Sequence, residues 1–149
     1  MDSIKPINSS PLEQFSILSK SKQLDLAKLA LLFAMCEYPD LNIDEELQSL
    51  DSLASVAKTR INQDSDPISQ INALSEYLFD EVGFQGNYED YYDPRNSFLN
   101  EVLNRRQGIP ITLSLLYMEV GKRLGIQLEG VGMPGHFLVR MKNDHAGLY

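Results

Sequence analysis

The chain repeats apolar residues with a helical period along its first half. Leu24, Ala27, Leu31, Ala34 and Met35 recur at helical spacing, and Leu26, Ala30 and Phe33 widen the stripe. The pattern predicts a helix over 22–37, capped by Ser21, apolar on most sides and deeply buried, with Pro39 as its stop. Asn42 and Glu45 form a capping pair for a second helix, and Asp44 and Glu46 add negative charge at its positive end. Ile43, Leu47, Leu50, Ala54 and Ala57 are its inward face, which fades near Arg60. Asp66 and Pro67 stand in N-cap-then-N1 order before a third helix. Its stripe is Ile68, Ile71, Leu74, Leu78, Phe79 and Val82, and Gly83 is the expected left-handed stop.

The periodicity then breaks. Residues 83–95 (GFQGNYEDYYDPR) carry aromatics and acids without a period, so they predict an ordered loop with tyrosines over the core and carboxylates in solvent. Asp93 and Pro94 open a short helix whose inward residues are Phe98, Leu99, Val102 and Leu103. Arg105 and Arg106 fall in its last turn, where cations complement the helix end, and Gly108 stops it. Pro110 starts a core helix over 110–124 with Ile111, Leu115, Met118 (or Tyr117), Gly121 and Leu124 inward, and Glu119, Lys122 and Arg123 on the wet side. Gly121 allows another element to approach closely, and Gly125 closes the helix. Alternation then predicts a strand over 126–130, a turn over 131–135, a strand over 136–141 opened by His136, a turn at 142–144 and a further strand beginning at Ala146.

Composition narrows the function classes. The 149 residues suit one domain, with 1–20 as a loose arm and 21–149 as the folded part. A formal charge of −8 argues against a nucleic-acid or anionic-membrane surface. The most apolar run, 24–36, is too short and too charged to span a bilayer, and the opening residues lack the order of a signal peptide. A single cysteine, Cys36, excludes an internal disulfide and fits a reducing, cytoplasmic setting. At a helix end with no cation beside it, Cys36 is expected to be a small core residue and not a reactive thiol. Glu89, Asp90, Asp93 and Asn96 lack the alternating acids and central glycine of a calcium loop, so neither metal nor cofactor is expected.

Two stretches carry a family resemblance: NYEDYYDPRNSFLNEVLNRRQGIPITLSLLYMEVGKRLGI and GVGMPGHFLVR. Together with EYPDLNI and LFDEVGFQGN, they resemble the SirB-type proteins, bacterial members of the transglutaminase-like superfamily. The resemblance runs from about residue 24 to 141. It implies an α+β fold of transglutaminase or papain type: a helical N-terminal part, then a core helix packed on a small antiparallel sheet. It also implies a domain that continues past Tyr149.

In active members of such a family, a cysteine at the start of the core helix attacks. A strand histidine serves as its base, and an acid or amide on the next strand orients that histidine. Counting back from Gly125, the nucleophile's place falls on Pro110. The histidine matches His136, and the orienting residue would lie beyond Tyr149. The resemblance therefore points to a non-catalytic domain that binds a protein partner. The alternative is a hydrolase or acyltransferase with Thr112 or Ser114 as substitute nucleophile and His136 as base. A thiol enzyme built on Cys36 is the weakest reading. Asn96, Arg105, Arg106, Pro110 and Tyr117 are the candidate cleft or partner-binding residues, and Arg105 and Arg106 could also meet a substrate anion.

Overall fold

The computed structural model describes residues 10, 11, 14, 25–133 and 136–141, with 129–133 and 136–141 described as backbone. Among the described residues, the α-helices α1 Leu26–Met35, α2 Ile43–Arg60, α3 Pro67–Ser75 and α4 Leu99–Arg105 precede the helix at the centre of the fold. The central helix is α5, Pro110–Arg123, followed by β3 Leu128–Met133 and β4 His136–Met141. Two short strands lie between the helices: β1 Gln85–Gly86 before α4 and β2 Gln107–Gly108 after it. α5 packs against α1, α2 and α4 and against both β3 and β4. The core gathers Ala27 and Leu31 of α1, Leu50, Ala54 and Ala57 of α2, Ile71 and Leu74 of α3, and Leu116 and Val120 of α5.

The caps explain most helix starts. Asn42 Oδ1 accepts the Glu45 N–H at 3.3 Å, and Asp66 Oδ2 accepts the Ser69 N–H at 3.2 Å, so two of the expected caps stand. The cap of α1 is Asp25, whose Oδ1 accepts the Lys28 N–H at 3.1 Å. Ser21, expected in that role, lies outside the described residues. Leu26 and Phe33 are exposed, so α1 buries one broad face and not most of its surface. Cys36 is exposed at the helix end, which corrects the expectation of a core thiol.

Past Ser75 the helix loosens into a π-helical turn, Glu76–Glu81. Val82 N–H donates to Tyr77 O at 2.8 Å and Gly83 N–H to Leu78 O at 3.2 Å, both spanning five residues. The wider turn shifts the register, so Tyr77 and Leu78 are both buried while Phe79 turns outward to stack on Tyr117. Ile68 is exposed as well, so the predicted stripe holds only in its middle. Gly83 stops the segment at φ 92°, as its position predicts.

Among the described residues the strands form two separate pairs. β3 and β4 run antiparallel, from Leu128 opposite Met141 to Met133 opposite His136. β1 and β2 run parallel, with Gln85 opposite Gln107 and Gly86 opposite Gly108, which a single antiparallel sheet does not include. Two-residue strands are too short to show alternation, so their pairing leaves no mark on the sequence. β3 also continues through the segment expected to turn at 131–133. The arm over 1–20, except residues 10, 11 and 14, the turn at 142–144 and the strand beginning at Ala146 lie outside the described residues.

Gly121 faces the hairpin. A Cβ there would come within 3.0 Å of Leu128 Cδ1, which accounts for glycine on a buried helix face. Gly125 ends the turn after α5 at φ 79°.

Candidate functional site

The start of α5 is the turn that the resemblance singles out, and its geometry begins with Thr112. The Thr112 side chain is buried. Its hydroxyl donates to Asn96 O at 2.8 Å, and its oxygen accepts the Ile109 N–H at 3.1 Å. Both functions of the hydroxyl are therefore engaged with backbone. Pro110 is exposed beside it, and Ile111, expected inward, is 53% exposed. The buried stripe of α5 starts with Thr112. Gly108 precedes this turn, where a Cβ would come within 2.8 Å of Thr112 Oγ1.

Asn96 is 0% exposed and orders the loop that leads to α4. Its Nδ2 donates to Asp90 O at 2.9 Å and Tyr91 O at 3.1 Å, and its Oδ1 accepts from Asn87 Nδ2 at 3.1 Å. Asn87 Oδ1 in turn accepts the Asp90 N–H at 3.1 Å. This buried pair of amides replaces regular structure over the loop, and through Thr112 it ties the loop to the first turn of α5. Around that framework the tyrosines point outward. Tyr88 is 88% and Tyr92 90% exposed, and Tyr91 stands edge-on to Tyr92 at 5.3 Å. They do not cover the core as the sequence pattern suggests, because buried Asn87 and Asn96 occupy the inner positions.

Asp93 closes the same loop. It caps a 3-10 turn, Pro94–Ser97, through the Arg95 N–H and pairs with the guanidinium groups of Arg95 at 2.6 Å and Arg105 at 3.6 Å. The Arg95 hydrogen bonds, followed by the nearby Arg95 and Arg105 charges, hold its carboxyl at about 2. The predicted single helix over this stretch is thus a 3-10 turn, a break at Phe98, and α4. Its stop is Arg106, in the left-handed region at φ 60°, and not Gly108. The Arg106 guanidinium donates to Val82 O at 3.1 Å, and its carbonyl accepts the Gln85 N–H at 3.0 Å.

The structure separates the remaining candidates. Tyr117 is buried against α3, its hydroxyl 2.7 Å from Ser75 Oγ and 3.0 Å from Ile71 O. Burial pushes its phenol up. Ser114 is half-buried one helical turn in from Pro110. His136 opens β4, which packs on α5, and its side chain lies outside the description. Glu119, expected on the wet side, is buried and accepts the Ala27 N–H at 2.8 Å. Among the described residues, no three potential metal-ligating side chains converge, and no helix is long and apolar enough to cross a membrane.

A helical N-terminal part, a central helix and a hairpin packed on that helix describe an α+β domain of transglutaminase-like type. The description of the transglutaminase-like superfamily matches residues 44–149, and the chain belongs to that superfamily. A UPF0162 protein of Xylella fastidiosa (strain Temecula1) is 44% identical over 121 residues, covering 81% of this chain and 43% of that protein. A UPF0162 protein of Vibrio cholerae serotype O1 is 30% identical over 118 residues, covering 79% of this chain and 44% of that protein. F-box only protein 21 of Mus musculus is 47% identical over 70 residues, 47% of this chain and 11% of that protein. The chain thus spans less than half the length of these curated relatives. No solved structure matches it.

Proposed function

We propose that this is a non-catalytic transglutaminase-like domain that works as a protein-interaction module. The observation that carries the reading is the state of the α5 start. By the resemblance, proline stands at the nucleophile's place, and the first-turn hydroxyl of Thr112 is engaged by Asn96 and Ile109. The exposed tyrosines support the second half of the reading. They are large aromatic surfaces on a loop already fixed by buried amides, so a partner would not have to order them. The F-box only protein 21 match is a short part of a much longer protein, which suits a module. The motifs quoted above resemble those of the SirB-type proteins, and the single cysteine favours a reducing, cytoplasmic compartment.

The test is affinity capture with the wild-type chain and a Tyr88→Ala/Tyr92→Ala variant, followed by assay of both for acyl and amide turnover. The expected result is a saturable partner lost in the variant, with no turnover by either protein. Turnover that disappears in a folded Thr112→Val or His136→Ala variant would overturn the reading. It would favour the alternative, a hydrolase or acyltransferase using Thr112 or Ser114 with His136.

A further inference from the structure

A second feature lies away from the tyrosine loop. A cleft of about 570 Å³ opens between α2, the π-helical turn and α4. Its volume lies within the range of ligand pockets. Its wall includes Glu46, Leu53, Val56, Phe84, Asn100 and Glu101. The side chain that asks for an explanation is Asn100. It is only 9% exposed, and its Oδ1 is buried with no hydrogen-bond partner. An unpaired buried acceptor costs roughly 1–3 kcal/mol, so native structures seldom keep one without a reason. The terminal torsion of an asparagine is broad, and a turn about χ2 can present Oδ1 to a donor in the cleft.

The other polar groups of the wall say what that donor would be. Glu46 and Glu101 are carboxylates, and neither forms an ion pair among the described residues. Burial, and then the neighbouring Glu45, push the Glu46 carboxyl up, as happens where a carboxylate lacks a cation. Among the described residues Arg106 is the one cation of the wall, and its Nη1 is engaged with Val82 O. Leu53, Val56 and Phe84 supply an apolar surface for methylenes. The π-helical turn places Tyr77 and Val82 on the same wall.

We infer that this cleft binds an arginine-bearing segment of a protein partner, its guanidinium received by Glu46 and Glu101 and one of its N–H groups by Asn100 Oδ1. The guanidinium carries five donors, which suits a wall with two carboxylates and an unmet amide oxygen better than the three donors of an ammonium. The site is separate from the tyrosine loop and stands whether or not that loop binds a partner.

The test is fluorescence anisotropy with labelled heptapeptides that differ only at the central residue: arginine, citrulline, lysine or glutamate. The full chain should bind the arginine peptide saturably and bind the citrulline peptide about tenfold or more weakly, as expected when a charge is removed from a paired site. Glu46→Gln/Glu101→Gln should lose a similar factor. A charge-matched Asp64→Asn/Asp80→Asn variant, altered outside the cleft, and the Tyr88→Ala/Tyr92→Ala variant should bind as the wild type does. Unfolding curves would confirm that each variant is folded. Absence of saturable binding, equal binding of citrulline and arginine, equal losses in the two charge-matched variants, or tighter binding of lysine would overturn the assignment.

Discussion

Glu119 on the central helix accepts the backbone N–H of Ala27 at 2.8 Å, across 92 residues of sequence. Its other carboxylate oxygen lies 3.6 Å from Arg123, which also binds Asp51 at 2.7 Å. The first turn of α1 thus receives two carboxylates, Asp25 from its own cap and Glu119 from the core, where unpaired N–H groups and the positive helix end favour negative charge. Replacing Glu119 by alanine leaves a buried N–H without its acceptor. We expect Glu119→Ala to lower stability by about 2 kcal/mol, roughly 5 °C in Tm, with a smaller loss for Glu119→Gln, which keeps an acceptor oxygen. Thermal unfolding followed by circular dichroism reads both. An alanine variant that melts with the wild type would show that α1 does not need this cap.

Asp93 gives the domain an acid-sensitive joint. Its folded pKa is held at about 2, against 3.8 when unperturbed. A group whose folded value is depressed stabilises the folded state above its unfolded value, and that contribution is lost as pH falls toward the folded value. The stability difference between wild type and Asp93→Asn should therefore be full at pH 6 and shrink between about pH 4 and pH 2. Denaturant midpoints across that range measure it. A difference that stays constant down to pH 2 would mean that the Asp93 charge is not what matters.

The helices were legible because caps and apolar spacing are local signals. Asn42 and Asp66 do what their positions predict, and Gly83 and Gly125 adopt the positive φ that their places require. Departures occur where a distant contact outweighs the local signal. Glu119 reads as a solvent residue until α1 is placed over it, and Asn87 and Asn96 read as loop residues until each is seen to bind the other. The π-helical turn hides for another reason: an extra residue per turn shifts the stripe without changing its composition, so Phe79 is read inward and Tyr77 is missed. At the candidate site, the sequence singled out the first turn of α5. It did not show that Thr112 is held by Asn96, a bond across 16 residues.

Thr112 can be tested as a structural hydroxyl. Thr112→Val keeps the shape and removes the group that donates to Asn96 O and accepts from Ile109. One buried and one partly buried backbone group then lose their partner, at a cost of about 1–3 kcal/mol. Thr112→Ser keeps both bonds and should lose less than half as much. Chemical denaturation of the three proteins reads the order. A valine variant as stable as the wild type would remove the bond to Asn96 as an anchor of the loop and reopen Thr112 as a group kept for chemistry.

Arg106 holds a left-handed conformation at φ 60° without the freedom of glycine, a cost of roughly 1–2 kcal/mol for a residue with a Cβ. Its guanidinium offsets part of that cost by donating to Val82 O at 3.1 Å. Alanine and glycine at this position both lose that bond, and only glycine relieves the backbone. We expect Arg106→Gly to be more stable than Arg106→Ala by about 1 kcal/mol, near 3 °C in Tm. The wild type should lie within about 1 kcal/mol of the glycine variant, since the side-chain hydrogen bond and the strain are of similar size. Alanine equal to or above glycine would mean that the backbone at 106 relaxes out of the left-handed region. The β1–β2 pair, whose first bond runs from Gln85 N–H to Arg106 O, would then lose its register, which amide hydrogen exchange at Gln85 and Asn87 would report.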